Sequence, residues 1–145
     1  MIGLGSIAKK QLIVLKKLEK KIKIFKLRIK NKKKSINYFN NLNSKYNLKL
    51  AVVCSPTNTH LDYIDYLKKK KINYLVEKPV IKDSQLNRLN KKKYKKTNIT
   101  ELVGYQLKFN KILLKIKKIL ALKKIGKIYN VKIYVNSFLP NWRKA

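Results

Sequence analysis

Short runs of apolar and β-branched residues alternate along the chain with amphipathic stretches of helical spacing. This alternation is typical of β–α–β units, in which helices cover a mainly parallel sheet. Segments with strand character cover residues 22–29, 36–39, 48–54, 72–77, 100–107 and 127–138. Segments with helical character cover residues 6–20, 60–69, 83–94 and 111–122, with a weak helical turn over 41–47. The pattern predicts an α/β fold, and Gly126 is expected to end the last helix.

The charge of the chain is strongly unbalanced. Its 38 Lys+Arg residues stand against 6 Asp+Glu, which gives a net charge of +32 and would attract polyanions such as nucleic acid. Only Arg28, Arg88 and Arg143 are arginines, although phosphate and base recognition favour the planar guanidinium. The lysines also accompany many Asn, Ile and Tyr residues, which share AT-rich codons. Base composition is the favoured explanation of the charge, and a selected basic surface is the alternative.

Other features restrict the class of protein. No apolar run approaches the ~20 residues that cross a bilayer, so we expect no membrane partner. The first residues lack the basic region and long apolar stretch of a secretory signal. The single cysteine, Cys54, excludes an internal disulfide and is interpreted as a small buried side chain at a strand end. These features predict a cytoplasmic protein.

The first motif is a glycine-rich turn, Gly3-Leu4-Gly5-Ser6-Ile7-Ala8, that opens a predicted helix. In such a GxGxxA pattern the first glycine permits a tight turn, and the second lets the backbone approach a pyrophosphate. The small Ala8 then allows helix and strand to pack closely, and the anion lies at the positive end of the helix. The turn therefore predicts a dinucleotide site.

The second motif, Ser55-Pro56-Thr57-Asn58-Thr59-His60, directly follows the predicted strand over 48–54. Ligands of doubly wound sheets bind at the carboxyl ends of the strands, so this loop is expected to face a cofactor. His60 is the only histidine of the chain. It is interpreted either as part of the site or as a helix-start residue that makes a local hydrogen bond.

The third motif, Glu77-Lys78-Pro79, ends the predicted strand over 72–77. A carboxylate there can accept hydrogen bonds from ribose hydroxyls, and the neighbouring lysine can donate to a substrate oxygen. The proline is compatible with a cis peptide bond. The alternative is an exposed Glu-Lys pair without a function.

These three motifs, in this order, resemble the Gfo/Idh/MocA family, which includes glucose-fructose oxidoreductase and inositol dehydrogenase. Three further segments also resemble the family pattern: 103–110 (VGYQLKFN), 125–128 (IGKI) and 138–143 (FLPNWR). All four glycines and all three prolines of the chain lie inside the matched segments. The resemblance implies a Rossmann-like, doubly wound, mainly parallel sheet.

The resemblance also implies an activity, in which hydride passes between NAD or NADP and a hydroxyl of a sugar or polyol. Lys78 would be the catalytic residue that hydrogen-bonds the reacting hydroxyl. The implied cofactor-binding residues are Gly3, Gly5, Ser6, Ile7, Ala8, Arg28, Ser55, Pro56, Thr57, His60, Glu77, Lys78, Trp142 and Arg143.

The choice between the two cofactors is expected to depend on the end of the second strand. Members that use NAD usually place an acidic residue there to bind the adenosine ribose. Residues 27–31 (LRIKN) contain no carboxylate, and the basic pair Arg28 and Lys30 would suit a 2′-phosphate. NADP is therefore mildly favoured over NAD.

The chain departs from the family pattern at both ends. Only Met1 and Ile2 precede the glycine turn, where the family has a full strand, and residues 123–145 match only the start of the second, α+β substrate domain. We therefore expect a dinucleotide-binding domain over residues 1–122, with an incomplete first strand, that does not turn over substrate alone. The alternatives are a half-enzyme completed by a separate chain and a polyanion-binding basic protein.

Overall fold

A computed structural model of the protein describes residues 1–28, 32–91 and 98–136. The chain divides into two compact units, Met1–Tyr105 and Gln106–Ala145. In the part of the chain that is described, no helix is long and apolar enough to span a membrane.

The first unit contains four helices and three strands among its described residues. In chain order they are α1 (Ser6–Leu18), α2 (Lys32–Tyr46), β1 (Leu50–Val53), α3 (His60–Lys69), β2 (Asn73–Val76), α4 (Leu86–Lys91) and β3 (Glu101–Val103), with short 3₁₀ helices at Thr57–Thr59 and Asp83–Gln85. The second unit contains a 3₁₀ helix, Gln106–Phe109, and α5 (Lys111–Ala121).

The three strands form a parallel sheet in the order β1-β2-β3. On the far side of β1 the chain start adds a further extended segment, because Ile2 forms parallel bridges with both Val53 and Leu27. The Ile2 N–H donates to Val52 O at 2.8 Å, and the Cys54 N–H donates to Ile2 O at 2.7 Å. The segments therefore follow the spatial order Leu27, Ile2, β1, β2, β3.

The core lies on both faces of this sheet. Its larger part is formed by the inward face of α3 together with alternate strand residues, and includes Leu61, Ile64, Leu67, Val53 and Val76. A smaller cluster of Ala8, Val52 and Cys54 packs α1 against the other face. Strands that are covered on both faces are apolar throughout, which explains the Ala-Val-Val run of β1.

Much of the predicted secondary structure is confirmed. The helices predicted from residues 6, 60 and 111 begin at those residues, and the strands predicted over 48–54, 72–77 and 100–107 contain β1, β2 and β3. The helix predicted over 83–94 is a 3₁₀ turn followed by α4, and its last three residues lie outside the described ranges.

The strand predicted over 36–39 is wrong, because these residues lie inside α2. Ile36 and Phe39 are three residues apart, so a helix places both against the core. A short apolar run of this kind fits a strand and a helix equally well by sequence alone.

The long strands predicted over 22–29 and 127–138 are also wrong for the described residues. Within 22–28 only Leu27 forms a bridge, and its partner is Ile2. An apolar cavity of about 70 Å³ beside Met1 is lined by this segment and by β1. Residues 127–136 form neither helix nor strand. Alternating apolar and polar residues predict an extended segment with one apolar and one polar face. Such a segment becomes a strand only when it has a neighbour to which its backbone can hydrogen-bond.

The end of α5 also differs from the prediction. Lys123 adopts the left-handed conformation with φ of 52°, and its N–H donates to Leu120 O at 3.0 Å. The Lys124 N–H reaches back to Ile119 O at 3.2 Å, which satisfies a second helix-end carbonyl. The helix therefore ends before Gly126, although Gly126 also has a positive φ of 72°.

We predict that Ile2→Ala lowers the free energy of unfolding by about 2–5 kcal/mol, a large part of the ~5–15 kcal/mol typical of a domain. The Ile2 side chain is 1% exposed, and the substitution would leave a cavity in the centre of the sheet. Urea unfolding followed by circular dichroism measures the change. Ile13→Ala is the matched control, since Ile13 is 57% exposed on α1 and should change stability by less than about 0.5 kcal/mol. Equal losses of stability for the two substitutions would contradict the role of buried Ile2 in stabilising the sheet.

Candidate functional site

A cleft lies where the spatial order of the sheet reverses. From Ile2 the chain passes first to the Leu27 side and then returns to β1 on the other side. In α/β sheets the loops that leave the carboxyl ends of strands separate at such a point and leave a crevice for a ligand. The cleft has a volume of about 450 Å³ and is lined by Gly3, Leu4, Gly5, Arg28, Cys54, Ser55 and Pro56.

Gly3 brings the first loop against the end of β1. Its φ is +89°, and a Cβ built on it would lie 2.5 Å from the carbonyl oxygen of Cys54. No side chain fits at that distance from a backbone atom, and L residues rarely adopt this φ. The close contact between the two loops therefore requires a glycine.

Gly5 faces open space instead. It is the N-cap residue of α1, and no side chain caps the helix at this end. A Cβ built on Gly5 would have no protein atom within 4 Å. No protein side chain therefore covers the Gly5 backbone beside the cleft, and an added methyl group would occupy the space in front of it.

The first turn of α1 suits an anion. Its N–H groups have no intrahelical partners, and the helix dipole places partial positive charge there. The turn contains no acidic residue. Ala8, 0% exposed, packs against Val52 and Cys54 and holds the helix start close to the sheet. Ser6 and Ile7 of the glycine motif therefore begin a helix whose free donors are suited to a phosphate group.

The loop after β1 is held by its own hydrogen bonds. The Thr59 hydroxyl lies 2.8 Å from the Ser55 hydroxyl oxygen and 2.8 Å from the Pro56 carbonyl oxygen. Thr57 begins the 3₁₀ turn that leads into α3. Ser55 is buried and Pro56 is exposed, and both line the cleft.

His60 connects this loop to the next one. Its ring is 1% exposed, with Nε2 2.8 Å from Ser55 O and Nδ1 3.0 Å from Pro79 O. A neutral imidazole can donate to only one of these carbonyls at a time. The residues that line the cleft do not include His60, Thr57, Glu77 or Lys78. For His60, the contacts with two backbone carbonyls favour the local hydrogen-bonding interpretation.

Glu77 follows β2 and is 6% exposed. Its backbone N–H donates to Val53 O at 2.9 Å, and its carboxylate Oε1 accepts a hydrogen bond of 2.7 Å from the side-chain amide of Gln11 on α1. A Cβ built on Gly104, just after β3, would lie 3.0 Å from Oε2. Lys78 is exposed, and the Lys78–Pro79 peptide bond is cis, as the sequence allowed.

The contacts join the three motifs at one edge of the sheet. Gly3 lies against the Cys54–Ser55 backbone, His60 links Ser55 to Pro79, and Gln11 links the glycine-turn helix to Glu77. Trp142 and Arg143 lie outside the described residues.

Gln11 is the site residue that sequence reasoning missed. It lies three residues after Ala8 and four before Leu15, on the inward face of α1. The sequence does carry a signal for it, because an uncharged amide follows two lysines at a position that helical spacing places on the inward face of α1.

Cys54 is not a nucleophile in this setting. Burial, and secondarily the nearby charge of Glu77, raise the pKa of its thiol to about 11. The side chain therefore stays protonated at neutral pH, when only the thiolate is reactive. No group of three or more His, Cys, Asp or Glu side chains suited to a metal ion occurs among the described residues.

Comparison with known proteins identifies a family. Residues 1–105 match the model of a family described as "Oxidoreductase family, NAD-binding Rossmann fold". No curated protein and no solved structure matches the chain. The matched residues cover the sheet, the glycine turn, the loop after β1 and Glu77. The chain therefore belongs to the Gfo/Idh/MocA family of NAD-binding oxidoreductases.

Proposed function

We propose that the cleft between the glycine turn and the loop after β1 binds a nicotinamide dinucleotide used for oxidation or reduction of a sugar or polyol hydroxyl. The observation that carries this proposal is the open space in front of the Gly5 backbone, where a Cβ would have no protein atom within 4 Å. A cleft of about 450 Å³ is bordered there by an uncapped helix end, and the protein leaves the space before it empty.

The pyrophosphate would lie against the first turn of α1. The N–H groups of Gly5, Ser6 and Ile7 are the donors in reach of an anion there. Gly3 would keep the turn tight and Ala8 would keep the helix close to the sheet, as their packing already does in the protein.

The nicotinamide half would lie toward the loop after β1 and the end of β2. Ser55 and Pro56 line the cleft and, with the adjacent Thr57, would form the wall beside its ribose. His60 would hold this loop in place through its contact with Ser55 O. Glu77 would accept a hydrogen bond from a ribose hydroxyl. The bound nicotinamide ring supplies the hydride acceptor or donor.

Lys78 would act on the substrate. Its ammonium group would donate a hydrogen bond to the oxygen of the reacting hydroxyl and hold it in line for proton loss. Lys78 is exposed, in contrast to the buried Glu77 that precedes it, so its side chain is accessible to a substrate.

Arg28 supports the preference for NADP. It lines the same cleft as Gly3 and Gly5 and lies one residue after Leu27, which pairs with Ile2. A guanidinium can bind a phosphate through two parallel hydrogen bonds. The adenosine 2′-phosphate would be its partner.

We predict that the protein binds NADPH and that Gly5→Ala weakens this binding by at least about tenfold, since the new methyl group would occupy the space proposed for the pyrophosphate. Titration followed by NADPH fluorescence measures the affinity. Ser44→Ala, a change at an exposed residue of α2 outside the cleft, should leave it unchanged within about twofold.

The titration should be repeated at about 0.5 M salt, because a net charge of +32 attracts any phosphate compound. Specific binding should persist there and stay sensitive to Gly5→Ala. Binding that disappears with salt and ignores the substitution would instead favour a polyanion-binding protein.

We predict that Arg28→Gln weakens NADPH binding by about 10–100-fold and changes NADH binding by less than about twofold. The reason is that only NADPH carries the 2′-phosphate. Lys26→Gln removes the same charge from an exposed residue outside the cleft and is the matched control. Equal losses for both cofactors would remove the argument for NADP.

We predict that the chain alone does not reduce NAD⁺ or NADP⁺ when sugars and polyols are supplied, because hydride transfer requires the donor carbon to be held against the nicotinamide ring. Absorbance at about 340 nm reports the reduced cofactor. Polyol-dependent reduction would overturn this prediction. Lys78→Met and the exposed control Lys82→Met would then show whether Lys78 carries the reaction.

A further inference from the structure

The hydrogen bond between Gln11 and Glu77 joins residues that lie 66 positions apart in sequence. Gln11 is half-buried in the second turn of α1, on the same face as the fully buried Ala8. Its side-chain amide nitrogen lies 2.7 Å from Oε1 of Glu77. The helix that begins at the glycine turn therefore also contacts the carboxylate at the end of β2.

The position of the Glu77 backbone is fixed independently. Its N–H donates to Val53 O at 2.9 Å, which continues the β1–β2 pairing. On β3, the Gly104 N–H donates to Val76 O at 2.8 Å and keeps Gly104 beside the carboxylate. The backbone hydrogen bonds thus fix the position of the Glu77 main chain, and the side-chain contacts fix the orientation of its carboxylate.

The orientation of a carboxylate needs such contacts. The last torsion of a glutamate side chain is broad, so the group turns freely unless its oxygens are held. Gln11 holds Oε1, and the bare Cα of Gly104 leaves just enough room for Oε2, since a Cβ there would approach it to 3.0 Å. A 6% exposed carboxylate also requires hydrogen-bond donors to offset its lost hydration.

An amide partner leaves the carboxylate able to bind a ligand. Gln11 is neutral, so the hydrogen bond orients Glu77 without cancelling its negative charge. Since Gln11 contacts Oε1, Oε2 would be the oxygen that accepts from a ligand hydroxyl. Lysine at position 11, a residue type that fills the neighbouring positions 9 and 10, would instead pair with the charge.

We propose that Gln11 is a positioning residue, which together with the space left by Gly104 fixes Glu77 to accept a hydrogen bond from a ribose hydroxyl of the dinucleotide. This inference rests on the proposed function. Gln11 does not line the cleft and its side chain contacts the Glu77 carboxylate, so its effect on the ligand would pass through Glu77.

The test is a double-mutant cycle on NADPH affinity with Gln11→Leu, Glu77→Ala and the double variant. We expect each single substitution to weaken binding by about tenfold, the scale of one hydrogen bond to a charged group. The double variant should bind no more weakly than Glu77→Ala alone, because Gln11 then has no carboxylate to orient. Lys10→Leu, an exposed change on the same helix, should leave affinity unchanged.

A second probe separates the two halves of the dinucleotide. 2′,5′-ADP carries the adenosine ribose and its 2′-phosphate but no nicotinamide ribose. We expect Gln11→Leu to change its affinity by less than about twofold, while NADPH loses about tenfold. An equal loss for both compounds would indicate general damage to the site and overturn the inference.

Gly104→Ala tests the same carboxylate from β3 and keeps the inference testable should Gln11→Leu not fold. It should weaken NADPH binding in the wild-type background and have no further effect once Glu77 is alanine. If the protein binds NADPH but neither Gln11→Leu nor Gly104→Ala changes the affinity, the inference is wrong and the proposed function stands. If the unaltered protein binds no dinucleotide, the proposed function itself fails.

Discussion

The structure depends on the backbone hydrogen bonds of a three-residue segment, Met1 to Gly3. Ile2 donates to Val52 O and accepts from Cys54, while Gly3 donates to Leu27 O and Leu27 donates to Met1 O, all at 2.7–3.0 Å. These bonds insert the chain start between Leu27 and β1 and so create the reversal of order at which the cleft lies. Backbone groups inside a protein must be paired, so the segment can take few other positions. The cleft follows from that constraint.

The same constraint brings distant residues together. Once Ile2 is paired with β1, the Gly3 turn must leave the sheet beside Cys54. Only a glycine fits there, because a Cβ would lie 2.5 Å from the Cys54 carbonyl oxygen. The helix that follows then runs back across the sheet, where its second turn reaches Glu77. A change in the pairing of Ile2 would therefore move both the helix start and the partner of Glu77.

The sequence predicted those parts of the site that depend on local rules. Gly3 and Gly5 were found because turns and backbone approach need glycine, and Ser55 and Glu77 because they follow apolar runs of strand length. Gln11 and Gly104 were not assigned roles around Glu77, because their meeting depends on sheet register and not on spacing along the chain. The error over 36–39 has a similar cause, since only tertiary packing decides whether Ile36 and Phe39 share a helix face.

The few acidic residues show how the protein uses charge. Asp62 and Asp65 each accept from Arg88 at 2.7 and 2.9 Å, and Glu101 accepts from Lys68 and Tyr74 at 2.7 Å. Glu77 differs, because the side-chain contact described for it comes from the neutral Gln11 in a chain with 38 basic residues. Because an amide carries no net charge, this contact is not an ion pair, and the second carboxylate oxygen can accept from a further donor. That difference separates Glu77, which we propose accepts a hydrogen bond from a ribose hydroxyl, from the acids that pair with cations within the fold.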